Sequence, residues 1–579
     1  MDAEIFYVLV GSVIVAAVAR WRGWPAPLLV TVVALAVSFI PAVPNLRIDG
    51  HVLLTFVLPP LLYSASLDVS VVSFRRSLPQ IRRLGVGLVI VTTAAVGLVA
   101  WLLMPSLTLP GALLLGAIVA PPDAVSAAAI GRRLGLPRRV MTVLSGESLI
   151  NDATSLTLYR VFALILAGTT VTVGSGLKDF VVAVVAGVGI GMVAGLGMHQ
   201  LRMRISDPVV IGTFGLLAPF GVYAITEHLE GSGVLAVVAM GLVVGYNAPR
   251  TSYATRMQEA PIWSSADFLL ESFVFAYIGL QLPPVLAELG ATQVAGVLWL
   301  AAAVFVVVLL VRPMFVYPAS AWGAFWSRLR LRRFEKALAS GRFRERVDAA
   351  AAKPRRNGRA GRGPTEAELR ERFRESQLNW RDNAVISWAG MRGVVTLATA
   401  LAAADLAGLD AEASHAIVVV AFLVTVGTLL LQGLTLPLLI KGLGVADVTD
   451  EEEEDRRQLA QVRARTREAG KVFLDEKRAA WEQEYGAASL SWFDRFAQRF
   501  TRVERDTENG QRDEDRMPRP SRDELVGLSK GWLQVRRDVL ITERDAGTLN
   551  EEVMRELVHA MDAEELALDT RIATGPAER

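Results

Sequence analysis

Cysteine is absent from the 579 residues. Disulfides, thiolate metal sites and thiol nucleophiles are therefore excluded. Histidine is scarce. His51, His199, His228, His415 and His559 are the only five, and none shares a metal-ligand spacing with another. The start of the chain lacks the basic segment of a secretory leader: it reads Met1-Asp2-Ala3-Glu4 before the first apolar run, which is expected to stay as a helix. Net charge is small too, at +2, but this average hides a segregation of the two signs by region.

Apolar sequence is plentiful. Hydrophobic residues make up 52% of the chain, and mean hydropathy is +0.38. Residues 1–325 and 380–443 are strongly apolar, whereas 328–379 and 447–579 are crowded with charge. About thirteen apolar segments can be drawn, at roughly 4–19, 25–42, 51–67, 84–104, 110–130, 138–166, 176–199, 208–227, 232–247, 262–282, 292–318, 380–405 and 413–440. Alternate connections are basic: Arg20 and Arg22; Arg75, Arg76, Arg82 and Arg83; Arg132, Arg133, Arg138 and Arg139; Arg202 and Arg204; Arg250 and Arg256. The loops at 105–109, 228–231, 283–291 and 406–412 contain no Lys or Arg. Because basic loops stay in the cytoplasm, the N-terminus is expected outside and the C-terminus in the cytoplasm of a multi-pass plasma-membrane protein. An even helix count would break the alternation.

One segment carries the chemistry. The apolar run from Arg138 to Leu166 contains Ser145-Gly146-Glu147-Ser148-Leu149-Ile150-Asn151-Asp152 at its middle. At helical spacing Ser148, Asp152, Ser155 and Tyr159 share a stripe, with Glu147 and Asn151 beside it. An ionisable group at that depth costs several kcal/mol, roughly, unless it is paired or used. A paired structural carboxylate is the bland explanation; an ion site is the functional one.

Two further segments are interrupted. Pro121-Pro122-Asp123 falls within the fifth, where two missing donors break the backbone ladder. Gly390-Met391-Arg392-Gly393 falls within the twelfth. With the seventh helix as a linker, six helices lie on each side, and the interruptions occupy matching positions in two inverted repeats. Discontinuous helices so placed point to a transporter's binding site. Kinks and glycine packing contacts are the plainer alternative. The buried acids Asp123, Glu147, Asp152 and Glu271 face only two bases, Arg312 and Arg392. One-to-one pairing neutralises at most two acids, so at least one carboxylate stays available to a cation or a proton.

The expected organisation is thus transmembrane helices 1–11 over 1–327, a basic cytoplasmic loop over 328–379, helices 12–13 over 380–443, and a cytoplasmic tail over 444–579. The loop opens as an Arg-rich amphipathic stretch from Arg328 to Arg346 and continues from Lys353 to Pro364 as a disordered linker; it suits anionic lipid rather than nucleic acid, since the arginine linker is tethered to the membrane and has no aromatic interleaving. In the tail, the acidic run from Asp450 to Asp455 is followed by helix-favouring residues and then by a disordered, charged stretch at 505–521; the plain reading of 450–521 is a solvated charged tail. Residues 522–567 read as a helical hairpin with an apolar stripe through Leu525, Leu528, Trp532, Val535, Val553, Leu557 and Met561, packing on itself or on a second copy.

These motifs together resemble the monovalent cation:proton antiporters, in the branch of NhaP-type proteins and animal sodium/proton exchangers. The matching pieces are Leu58-Pro59-Pro60-Leu61-Leu62-Tyr63, Val119-Ala120-Pro121-Pro122-Asp123, Gly146-Glu147-Ser148-Leu149-Ile150-Asn151-Asp152 and Gly390-Met391-Arg392-Gly393, with Ser232-Gly233-Val234-Leu235-Ala236 fitting another segment. The resemblance covers about 1–445. It implies that Asp152 binds the ion and the proton, and that Asn151 stands where electrogenic members have a second aspartate. Ser148, Asp123, Pro121 and Pro122 would complete the site, Glu147 and Arg312 would form a buried ion pair, and Glu271 would partner Arg392. It also implies a homodimer. Two departures stand out: Ser64 occupies a position where members often have a carboxylate, and Pro122 one where many have Thr, so that ligands there would be backbone carbonyls.

The expected fold is an all-α polytopic membrane protein with two crossing discontinuous helices and a helical tail. The expected activity is secondary antiport of an alkali cation, Na+ first with K+ or Li+ as alternatives, against H+, without cofactor and without enzymatic chemistry. Hard oxygen ligands suit such cations. One carboxylate holding one proton or one cation gives electroneutral one-for-one exchange. A cation channel with a regulatory tail is the main alternative and would show rings of carbonyls or charges about an axis. A membrane hydrolase using Asp123 and Asp152 would need a nucleophile or metal constellation, and no recognisable spacing supplies one. The tail leaves room for a regulatory ligand or partner.

Overall fold

The computed structural model describes residues 2–40, 48–169, 173–205, 207–287, 294–339, 378–404, 406, 408–445, 449–487, 490–501 and 522–574. Every regular element among them is helical. Two units separate: Met1–Tyr246 with Glu259–Val448, and Asn247–Gln258 with Thr449–Arg579.

The first unit begins with α1 (Asp2–Arg22) and α2 (Ala26–Val37), followed by α3 (Gly50–Leu67) and α4 (Val71–Leu103). In α3 a π-helical turn, Leu53–Val57, precedes Pro59 and Pro60. Neither proline has an N–H to return to the preceding turn, and the wider turn makes room for their rings. Next come α5 (Leu109–Val119), α6 (Ala124–Leu134), α7 (Arg138–Leu166), α8 (Val173–Arg204), α9 (Pro208–His228) and α10 (Gly233–Asn247). α11 (Tyr253–Ala287), whose residues up to Gln258 belong to the second unit, is followed in the first by α12 (Val294–Ala339), α13 (Trp380–Trp388), α14 (Val394–Ala403) and α15 (Ala411–Leu443). Among the described residues ten helices are long and apolar enough to cross a bilayer, and three shorter apolar ones accompany them.

Lipid is as apolar as leucine, so these helices associate through close packing rather than through escape from water. Small residues set the contacts. A Cβ on Gly116 of α5 would collide with the Thr93 carbonyl of α4. Large side chains point outward instead, as Val181, Val185, Val193 and Leu196 do on α8. Buried Tyr63, Leu114, Leu115, Ile118 and Leu149 fill the centre around α3, α5 and α7.

The two interruptions occur where proline and glycine put them. α5 stops at Val119 and α6 starts at Ala124; α13 stops at Trp388 and α14 starts at Val394. The two non-helical stretches cross in contact. The Asp123 N–H donates to the Met391 carbonyl. A Cβ on Gly393 would sit 2.7 Å from Cβ and Cγ of Asp123, so a side chain at 393 cannot be accommodated without moving Asp123.

α12 runs on to Ala339, into the stretch from Arg328 that the sequence marks as Arg-rich and amphipathic, because its Arg-rich turns still favour helix. In the second unit, α16 (Thr449–Tyr485) is one long helix, in keeping with its helix-favouring residues, but Val462 and Leu474 are buried where the sequence suggests a solvated tail. It is followed by α17 (Leu490–Thr501), α18 (Arg522–Ala546) and α19 (Glu551–Thr574). The core of this unit holds Val462, Leu533, Leu540, Ile541, Val553, Met554, Val558 and Met561. Leu525, Leu528 and Val535 of the expected stripe are only half-buried. With α18 packed on both α16 and α19, its buried face shifts to Leu533 and Leu540. The linker and the charged stretch expected at 353–364 and 505–521 lie outside the described residues.

Candidate ion-binding site

The middle of α7 faces the crossing. Asp152 is 6% exposed. Among the described residues its carboxylate has no hydrogen bond and no ion pair, and the charge nearest enough to matter is that of Asp123, of the same sign. Asn151, fully buried, donates from Nδ2 to the Pro122 carbonyl at 2.9 Å, while its Oδ1 has no hydrogen-bond partner. Ser155, one turn below on the same stripe, donates to the Ala117 carbonyl at 2.8 Å. Thus α7 is laced to the interrupted span on both sides of the break. Ser148 lies one turn before Asp152 and is half-buried. Asp123 accepts from the Ser126 hydroxyl at 2.7 Å. Pro121 and Pro122 are both buried at the break.

Glu147 faces away from Asp152 toward α12. Arg312 meets it with a two-pronged contact, Nη1 to Oε1 at 2.6 Å and Nη2 to Oε2 at 2.8 Å, and donates from Nε to the Ile386 carbonyl at 2.9 Å. One guanidinium therefore joins α7, α12 and α13. Both side chains are buried, so the fork geometry and the extra carbonyl offset a large desolvation cost.

The expected partnership of Glu271 with Arg392 does not occur. Arg392 donates from Nε to the Val119 carbonyl at 2.7 Å, from Nη2 to the Ala120 carbonyl at 3.2 Å, and from Nη1 to the Gly390 carbonyl. The carbonyls at the end of α5 have lost their helical donors, and a cation at a helix C-terminus is favoured by the dipole. Those acceptors hold Arg392 in place of a carboxylate. With Val119 and Ala120 bound to Arg392 and Pro122 bound to Asn151, the carbonyls expected to serve as ligands already accept hydrogen bonds.

The comparisons with known proteins bear on this geometry. The family profile described as sodium/hydrogen exchanger, transmembrane, matches residues 5–442. The chain belongs to the sodium/hydrogen exchanger family. An uncharacterised Na+/H+ exchanger of Mycobacterium tuberculosis strain H37Rv is 30% identical over 576 residues, covering 97% of this chain and 96% of the relative. The Na+/H+ antiporter ApNhaP of Aphanothece halophytica is 28% identical over 429 residues, covering 73% of this chain and 71% of the relative. The solved sodium proton antiporter MjNhaP1 of Methanocaldococcus jannaschii superposes with a TM-score of 0.54 at 17% identity, over 76% of this chain and 98% of that one, a likeness of fold.

Two polar contacts of the exchanger escape sequence reasoning. Asp267 of α11 accepts a hydrogen bond from Ser64 of α3, and its other oxygen, Oδ1, is buried without a partner. Arg202 of α8 lies 2.7 Å from Glu259 of α11, and both are buried or nearly so. Asp267 stands four residues before Glu271, on the same helix face, and that spacing is the signal that could have drawn attention to it.

Proposed function

We propose that Na+ and H+ are exchanged by competition for the Asp152 carboxylate, one for one, as the site opens to each side in turn. The protein is a Na+/H+ antiporter of the exchanger family, a transporter and not an enzyme. The observation that carries the mechanism is Asp152 itself: a buried carboxylate at the centre of a membrane helix with no countercharge among the described residues. A bare charge there is costly, so the group holds a proton or a cation, and one excludes the other. The Asn151 Oδ1, buried and unpartnered beside it, adds a neutral oxygen. The Ser148 hydroxyl adds a second. Glu147, committed to Arg312, serves as scaffold. Asn151 is neutral and Asp152 carries the only negative charge on that turn, which supports electroneutral exchange.

The test is a pH-gradient assay in proteoliposomes, titrated with each alkali chloride. Asp152→Asn should fold, judged by size-exclusion profile, yet lose Na+-driven proton movement. A well-folded variant with near-normal exchange would remove Asp152 from this role.

A homodimer, a plasma-membrane location with the N-terminus outside, and contact of the basic segment 328–379 with anionic lipid belong to the same proposal. The location rests on the alternation of basic loops, and the lipid contact on the arginines that begin at Arg328. K+ or Li+ could replace Na+ at a site built of hard oxygens, and the same titration ranks them.

A further inference from the structure

Asp267 is a membrane carboxylate for which the mechanism so far has no use. It lies near the middle of α11, and no ion pair to it exists among the described residues. Its position is fixed by Ser64, whose hydroxyl donates to Oδ2. Ser64 is buried near the end of α3, just before Asp68. The second oxygen, Oδ1, is shielded from solvent and takes no hydrogen bond. A purely structural carboxylate would have both oxygens satisfied, since each unmet buried acceptor costs about 1–3 kcal/mol. A hydroxyl holding one oxygen and leaving the other buried and unbonded fits a group that handles a charge.

Its electrostatic neighbours give direction. Asp267 senses Asp68 and Arg132, which stand at the ends of α3 and α6. Glu271, one turn further along α11, lies within the field of Asp267 and Asp123 and also of Arg132 and Arg20. Asp123 in turn is sensed by Asp152.

We propose that Asp267, oriented by Ser64, is a specificity-determining residue of the exchanger: it takes the entering alkali cation with its free oxygen and the Ser64 hydroxyl before the ion reaches Asp152. It rests on Asp152 as the exchange site but adds a separate determinant of affinity and ion preference. No bond is made or broken; the cation passes from one oxygen set to another.

The experiment uses the full-length protein in proteoliposomes, with apparent KM and maximal rate measured for Na+, Li+ and K+. Asp267→Asn keeps an acceptor for Ser64 and removes the charge. It is expected to raise the apparent KM for Na+ about tenfold or more, to compress the difference between Na+ and K+, and to change the maximal rate by less than about threefold. Ser64→Ala, which frees Asp267 to rotate, is expected to raise KM about threefold. The double variant Ser64→Glu with Asp267→Asn returns a carboxylate to the same place from the other helix and is expected to bring KM back to within about threefold of the parent. A structural role for Asp267 would not be rescued this way. An unchanged KM and ion preference in Asp267→Asn overturns the proposal, as does a double variant no better than the single one. If Asp267→Asn does not fold, the decision passes to the folded Ser64→Ala and double variants on the same criteria. Because Asp152→Asn is assayed in parallel, failure of the Asp267 proposal with Asp152→Asn inactive leaves the exchange mechanism standing.

Discussion

The Arg392 guanidinium reaches 273 residues back along the chain to the carbonyl of Val119, at 2.7 Å. It is the bond by which the second interrupted span closes the end opened in the first. Replacing it tests that role. Arg392→Lys keeps the charge but cannot reach Val119, Ala120 and Gly390 together. Hydrogen bonds to a charged group are worth about 1.5–3 kcal/mol each, so melting in detergent should fall by several degrees. A melting curve equal to the parent's would show that the carbonyls find other donors.

Glu147 and Arg312 should behave as one unit. Glu147→Gln or Arg312→Ala leaves an unpaired buried charge or half a pair, a loss of about 3–5 kcal/mol. The double variant Glu147→Leu with Arg312→Met should be less damaged than Arg312→Ala alone, because no charge is left stranded. Thermal stability of the four proteins decides. A stable, inactive Glu147→Gln would instead make Glu147 an ion ligand.

Exchange should be insensitive to membrane potential. On the proposed mechanism, with Asn151 neutral, one cation replaces one proton on Asp152 and no net charge moves. Imposing an inside-negative potential with K+ and valinomycin in Na+-loaded vesicles should change the rate by less than about twofold. A rate that follows the potential would require a second titrating group in the cycle, and Asp267 would be the first to examine.

The second unit carries its own ionic clamp. Arg256 donates from Nε to Asp562 at 2.9 Å and contacts it again through Nη2, and Arg537 adds a bond to Asp562 at 3.1 Å. Asp562→Asn should lower protection of α19 against hydrogen exchange by at least tenfold, since Arg256 loses its carboxylate and Arg537 is left with Glu565. Nearby, Asp569 is held below the ordinary aspartate range by hydrogen bonds from Lys530 and Tyr253. Its contribution is complete above the usual carboxylate pKa and disappears only as pH falls through the lowered one. Protection of the end of α19 should therefore stay level from pH 8 to about 5 and drop below about 4. A drop near neutrality would point to another group.

The interruptions at 120–123 and 389–393 are legible in sequence because missing proline donors and glycine are local facts, independent of what surrounds them. Glu147 and Arg312 are legible because a buried charge must find an opposite one. Arg392 is not, because residue letters record ionisable side chains and not the carbonyls that a broken helix exposes. Asp267 is not, because its partner Ser64 is 203 residues away and is a hydroxyl, which no charge count registers. In the tail, the charges of α16 conceal Val462 and Leu474, which stand too far apart to form a visible stripe.

The contact of Asp123 with Met391 and Gly393 has a mechanical consequence. Two broken spans that share a backbone hydrogen bond and leave no room for a methyl group cannot slide past one another. If access alternates as proposed, the crossing would move as one piece and the change of access would fall to the surfaces around it. A cross-link within the crossing should be silent, while one from it to an outer helix should jam the cycle.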